Sequence, residues 1–243
     1  MAGKGDLWVG TSGWSYDHWD GTFYPEDVSS KERLKYYATK FDTAEINNSF
    51  YQLPKEDTLE QWKKTAGSGF VFAVKGSRYI THMKKLKDPE DSLQKFLKPV
   101  DSLKTKQGPV LFQLPGGWRA NSDRLSDFLK MLPTGHRWAF EFRDPDWHCD
   151  EMYELLHKRN AAFCMFEFAG LESPREITAS FVYIRLHGPN KEPYTGSYTD
   201  KALKDWASDI RKWLKNGKDV YCYFDNDQAG HAPNDALRLK EMI

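Results

Sequence analysis

The sequence predicts an α/β fold, a single (β/α)8 TIM barrel with its ligand site at the C-terminal ends of the strands. Three observations carry this expectation. Eight short β-rich runs are each followed by a segment with helical spacing, the order of a closed parallel barrel. The 243 residues suit one such barrel, which commonly takes ~250. The rival fold, a doubly wound open sheet of the dinucleotide-binding kind, needs GxGxxG after its first strand. Here Gly10-Thr11-Ser12-Gly13-Trp14 lacks that spacing and puts a Trp where a pyrophosphate would lie.

The strands are expected at Leu7–Ser12, Thr43–Asn47, Phe70–Lys75, Val110–Leu114, Trp138–Phe142, Ala162–Phe166, Val182–Leu186 and Val220–Phe224. Helical spacing marks Lys31–Lys40, Leu59–Ala66, Ser92–Leu103, Arg124–Leu132, Glu151–Arg159 and Lys201–Leu214. Glu172–Ala179 is a shorter helix candidate, and Asn234–Met242 is the last. No linker, repeat or low-complexity tract interrupts the chain, so residues 1–243 read as one domain with residues 1–6 as a flexible tail.

Alternation within the strands assigns their faces. The second strand turns Ala44 and Ile46 outward and Thr43, Glu45 and Asn47 inward. In the third, Phe70, Phe72 and Val74 face the helices, and Val71, Ala73 and Lys75 face the interior. The fourth sends Val110, Phe112 and Leu114 out and Leu111 and Gln113 in. The fifth sends Trp138, Phe140 and Phe142 out and Ala139, Glu141 and Arg143 in. The seventh sends Val182, Ile184 and Leu186 out and Tyr183, Arg185 and His187 in. Each polar member ends its run, at the end where barrel active sites are built. Glu167 and Asp225 are provisional members from the sixth and eighth strands. An isolated buried ion costs several kcal/mol, against a domain stability of ~5–15 kcal/mol, so these groups must pair with one another or await a ligand.

Composition narrows the function. Thirty-five Lys and Arg balance 35 Asp and Glu, which lacks the basic footprint of a dedicated duplex-DNA binder. No apolar run approaches the ~20 residues of a membrane span, and the first residues lack a signal peptide's apolar core. Cys149, Cys164 and Cys222 show no CxxC spacing, so neither disulfide framework nor zinc site is indicated. These features lead to an expectation of a cytoplasmic protein without membrane association.

The loops after the strands carry a distinctive series. It runs Gly10-Thr11-Ser12-Gly13-Trp14, Trp19-Asp20-Gly21-Thr22-Phe23-Tyr24-Pro25 and Glu45-Ile46-Asn47-Asn48-Ser49-Phe50-Tyr51. Phe72-Ala73-Val74-Lys75 with Arg78-Tyr79-Ile80-Thr81-His82 follows, then Leu111-Phe112-Gln113-Leu114-Pro115 and Glu141-Phe142-Arg143 with Trp147. Arg185-Leu186-His187-Gly188 with Tyr194 and Tyr198, and Tyr223-Phe224-Asp225-Asn226-Asp227, complete it. From about Leu7 to Leu239 this ordered set closely resembles the YecE-like family, domain of unknown function number seventy-two. The resemblance implies a TIM barrel near the endonuclease-IV and sugar-isomerase barrels, with no assigned reaction. The chain departs from it at Asp225, where relatives usually carry Asn, and at Glu167, which takes the place of an acidic residue often found after the sixth strand.

The chemistry follows from the residue types. Glu45, Glu141, Glu167, His187 and Asp225 have the makings of a divalent-metal cluster, but Lys75, Arg143 and Arg185 in the same cleft would repel the ion. The preferred expectation is a cleft without metal or cofactor that binds an anionic or polyhydroxylated small molecule. Lys75, Arg78, Arg143 and Arg185 would supply charged donors, and Glu45, Asn47, Gln113 and Asn226 would bond hydroxyl or base edges. Trp14, Trp147, Tyr194 and Tyr198 would offer flat faces, with Trp14 alternatively a core plug. Lys75, Glu141 and His187 are the catalytic candidates, as acids or bases. Neighbouring Arg charge would lower the Lys75 pKa and flanking carboxylates would raise it. Glu45 and Glu141 as a glycosidase pair are disfavoured, since adjacent Arg side chains would keep both ionised. Three readings result: a hydrolase, lyase or isomerase acting on a phosphorylated or sugar-like substrate; a nucleic-acid-binding or processing protein; and a ligand sensor without turnover.

Overall fold

The computed structural model describes residues 3–243. Its frame is eight parallel strands: β1 (Leu7–Thr11), β2 (Thr43–Ile46), β3 (Val71–Lys75), β4 (Gln107–Leu114), β5 (Trp138–Phe142), β6 (Ala162–Phe168), β7 (Phe181–Leu186) and β8 (Asp219–Phe224). They hydrogen-bond in the order β1-β8-β7-β6-β5-β4-β3-β2. Seven α-helices stand among the described residues: α1 (Arg33–Tyr37), α2 (Glu56–Thr65), α3 (Glu90–Val100), α4 (Ser122–Met131), α5 (Asp150–Lys158), α6 (Asp200–Lys215) and α7 (His231–Met242). All eight expected strands and all but one of the expected helices are found, within a few residues at their ends. None of the helices is long and apolar enough to cross a membrane.

The helices form for ordinary reasons. Leu203, Trp206, Ala207, Ile210 and Leu214 recur every three or four residues along α6 and are buried against the sheet. The Thr199 hydroxyl caps its first turn by accepting from Ala202 N at 3.2 Å, as Asn121 Oδ1 accepts from Arg124 N at 2.8 Å at the start of α4.

The exception is Glu172–Ala179, which is not a helix. Leu171–Glu172 instead turns back as a two-residue strand antiparallel to the end of β6. Pro174 lacks a donor, and the flanking hydroxyls serve β6 itself. Ser173 Oγ accepts from Phe166 N and Thr178 Oγ1 from Phe163 N, both at 2.8 Å, so the segment runs along the strand as a cover. Of the expected tail, residues 1 and 2 lie outside the described residues. Gly5 and Asp6 are already fastened, with Gly5 N donating to Leu214 O and Asp6 N to Asp219 Oδ1, each at 2.9 Å.

Two separate apolar clusters result from the alternation. Ala44, Phe72, Val74, Phe112, Phe140, Phe142, Ile184 and Leu186 belong to the layer between strands and helices. Ala73, Leu111, Ala139, Ala162, Cys164, Tyr183, Tyr221 and Tyr223 fill the interior. The inward and outward faces expected for the second, third, fourth, fifth and seventh strands are those found, except that Asn47, expected inward, falls past the end of β2 in helical backbone and lines a cleft on the outer side.

Closure between β1 and β2 has its own device. Their ladder is reduced to a single bridge, Ser12 with Glu45. The Tyr37 hydroxyl fills the gap, accepting from Thr11 N at 2.9 Å and donating to Thr43 O at 3.1 Å. Gly10 permits this approach, since a Cβ there would lie 2.3 Å from Thr43 O.

Candidate functional site

At the C-terminal ends of the strands the inward positions bring together Ser12, Glu45, Lys75, Gln113, Glu141, Arg185, His187 and Asp225. Arg185 is the centre. Its Nη2 donates to Glu45 Oε1 at 2.8 Å and Asp225 Oδ2 at 3.0 Å, and its Nη1 donates to Glu141 Oε2 at 2.9 Å. Nη1 also lies 3.2 Å from His187 Nε2. A guanidinium only donates, so Nε2 is the acceptor and the imidazole proton sits on Nδ1, 2.9 Å from Asp225 Oδ2. Ser12 Oγ and the Tyr183 hydroxyl complete the shell, donating to Glu45 at 2.7 and 2.6 Å.

This hub is closed. Glu45, Glu141, Arg185 and His187 are all 0% exposed, so the expected convergence occurs but as a closed network beneath the mouth. Burial pushes the Glu141 carboxyl up, yet Arg143 and Arg185 together outweigh it and hold it well below the usual carboxylate range. Asp225 is likewise lowered, by Arg185 and His187 against its burial. Both are therefore ionised, and Arg185 occupies the position among the carboxylates that a metal reading would give to the ion.

Above the hub the balance of charge changes. Lys75, 7% exposed, places Nζ 4.5 Å from the centre of the Phe50 ring and has no carboxylate at ion-pair distance among the described residues. Burial, and secondly the Arg185 charge, lower its pKa to about 8 against the opposing pull of the carboxylates. Arg143 Nε donates to Glu141 Oε1 at 2.6 Å and its guanidinium lies 3.8 Å over Phe168, but Nη2 is buried with no partner. Burial, then the charges of Lys75, Arg78 and Arg143, push His82 down to about 4. His82 was not singled out from sequence as a site residue. It follows β3 on a short π-helical turn, Tyr79–Met83, a conformation that no local sequence pattern announces.

The remaining expected residues separate into groups. Tyr194, 38% exposed, stands at the rim with its ring 5.8 Å from His187. Arg78 is exposed with its guanidinium 5.9 Å from Tyr51, and Gln113 is buried beside Glu141 at the end of β4. Trp14 and Asn47 line a neighbouring cleft of about 500 Å³ with Tyr16, Gln61 and Trp62. Trp14 packs edge-on to Trp62 there, as a plug in the outer layer.

Besides Trp14 and Asn47, three expected binding residues do not reach the mouth. Trp147 is fully buried, stacked on Phe142 and donating its indole N–H to Trp118 O, so neither face is free. Tyr198 is buried against Phe224, its hydroxyl accepting from Gly188 N. Asn226 turns outward, its Nδ2 donating to Asp235 Oδ2 at 2.9 Å and Gly196 O at 2.8 Å. Glu167 also leaves the site, accepting the Trp206 indole N–H at 2.6 Å in the helix layer, where burial raises its pKa. Asp225 and Ser12, respectively provisional and unassigned from sequence, belong to the hub.

Comparison with known proteins agrees with this architecture. The chain matches the family described as "Protein of unknown function DUF72" over residues 8–243. It is 24% identical to the UPF0759 protein YunF of Bacillus subtilis, across 98% of this chain and 94% of that one. It is 27% identical to the UPF0759 protein YecE of Escherichia coli over 58% of this chain and 50% of the other. A DUF72 family protein from Thermotoga maritima superposes with a TM-score of 0.89 at 28% identity, covering 98% of each chain. A second, from Enterococcus faecalis, reaches 0.82 at 17% identity over 97% of this chain and 94% of that one, which speaks to the fold alone. With the match running from β1 to the last residue, the chain belongs to the DUF72 family.

Proposed function

We propose that this protein is an enzyme, a hydrolase, lyase or isomerase, that takes a phosphorylated or sugar-like small molecule at the barrel mouth. One observation carries the reading: Lys75, Arg78, His82 and Arg143 gather above a hub whose own carboxylates are already committed to Arg185. Arg143 Nη2 is buried without a partner and Lys75, at the rim of the same space, has no carboxylate at ion-pair distance among the described residues, and a phosphate or carboxylate would supply both. Lys75 is the proton carrier, with a pKa near the working range, while His187, expected as a second, is closed inside the hub with its two ring nitrogens engaged by Arg185 and Asp225. Glu141, expected as a third, is held ionised and instead fixes Arg143. The aromatic ring of Tyr194 at the rim suits a sugar face. Balanced overall charge supports a small ligand over a nucleic-acid strand.

Thermal-shift titration with inorganic phosphate and a panel of sugar phosphates tests this. A ligand at 100 times its dissociation constant adds ~2.7 kcal/mol of stability, and that shift should vanish in a Lys75→Ala/Arg143→Ala variant. A stabilising hit that survives the double substitution rules out this location. Affinity for single-stranded DNA at low salt, lost on adding salt, would favour the nucleic-acid reading instead.

A further inference from the structure

The fold treats Lys75 unlike its other partly buried lysines. Lys63 Nζ donates to Glu60 Oε1 at 2.6 Å and Ser102 O at 2.7 Å, Lys106 Nζ to Lys63 O at 2.8 Å, and Lys218 Nζ to Ala179 O at 2.8 Å. Lys75 Nζ has neither a carboxylate nor a hydrogen-bond acceptor among the described residues, and rests on the Phe50 ring. Its stem is buried at the end of β3, where inward side chains meet the mouth. An amine attacks carbon only when unprotonated, and a desolvated site without a counter-ion favours that form.

We infer that Lys75 is a covalent nucleophile, forming an imine with the carbonyl group of a phosphorylated aldehyde or ketone. This rests on the anion-binding reading above, since Arg143 and Arg78 would hold the phosphate. The Nζ lone pair forms the C–N bond while the carbonyl π pair moves to oxygen. The oxygen takes up the two amine protons and leaves as water, giving a neutral imine. One further proton from solvent yields the protonated imine, and no oxidant or reductant is consumed. Such an imine draws electrons from the adjacent carbon, chemistry that serves the lyase and isomerase readings and not the hydrolase.

Wild-type protein incubated with glycolaldehyde phosphate and sodium cyanoborohydride, followed by peptide mapping, provides the test. The expected result is one reduced adduct on Lys75, forming at least ~10-fold faster than on any other lysine at pH 7.5, because far more of its amine is neutral there. Inorganic phosphate should slow it, and Lys75→Met, shown to be folded by circular dichroism, should remove it. Adducts confined to surface lysines, with phosphate still raising the melting temperature, overturn the imine while the anion site stands. Absence of both adduct and phosphate stabilisation overturns the two together.

Discussion

Arg185, at the end of β7, and Lys75, at the end of β3, are inward cations on one barrel, and they meet opposite surroundings. Arg185 is gripped by Glu45, Glu141 and Asp225, all at 3.0 Å or less. Lys75 has only an aromatic ring beneath its charge. The difference follows from what each group can do when water is removed. A guanidinium keeps its charge at any ordinary pH, so burial is tolerable only with anions arranged around it. An amine can release its proton, so the fold tolerates it unpaired and leaves it reactive. Arg185 Nε is itself left without a hydrogen-bond partner, so it is the presence of counter-ions that marks structure here, and their absence that marks the candidate chemistry.

The largest expected effect comes from emptying the hub. Arg185→Met strands Glu45 and Asp225 in a closed interior and should cost about 3–5 kcal/mol in urea unfolding at pH 7. A loss below about 1 kcal/mol would mean that water reaches the hub and that the contrast with Lys75 is false.

Lys75→Met should act in the opposite direction. The folded pKa of about 8 lies below that of an unfolded lysine, ~10.4, so between these values the unfolded chain binds more protons and stability rises with pH. Below pH 8 the wild type carries the full penalty, with a ceiling of ~3 kcal/mol at ~1.4 kcal/mol per unit. The methionine variant should therefore be more stable at pH 7 by about 1–3 kcal/mol and lack the rise from pH 8 to 10 in chemical denaturation. Equal stability of the two proteins across that range would place the ammonium in water.

The finest test couples the two regions. Asp225 raises the Lys75 pKa through space, so Asp225→Asn should move the lysine titration, followed by NMR of the labelled ε-carbon, further down by a fraction of a unit. An unmoved midpoint would show the hub and the mouth to be electrically independent.

How far the chain could be read residue by residue depended on where each residue sits. Within strands, period-two alternation held, because the helix layer accepts only apolar side chains and leaves the mixed ones for the interior. Continued one step further, the same rule sends Glu167 outward after Phe163 and Met165, and Asn226 outward after Asp225. Both could have been placed correctly from the sequence. Trp147, Tyr198 and His82 could not, since they follow the strands on turns whose path is set by packing. Glu172–Ala179 carried helix-like spacing, but Ser173 and Thr178 were needed as hydroxyl partners of β6, and that tertiary demand overrode the pattern.

Local stereochemistry alone dictated the barrel, its two faces and the arrival of ionisable groups at one end, since each depends on neighbours a few positions away. Which of those groups neutralise one another is settled across the barrel, between residues as far apart as Glu45 and Arg185, 140 positions distant. Coulomb and desolvation energies vary with distances that only the closed ring sets, so tertiary structure alone made Arg185 a keystone and left Lys75 unpaired.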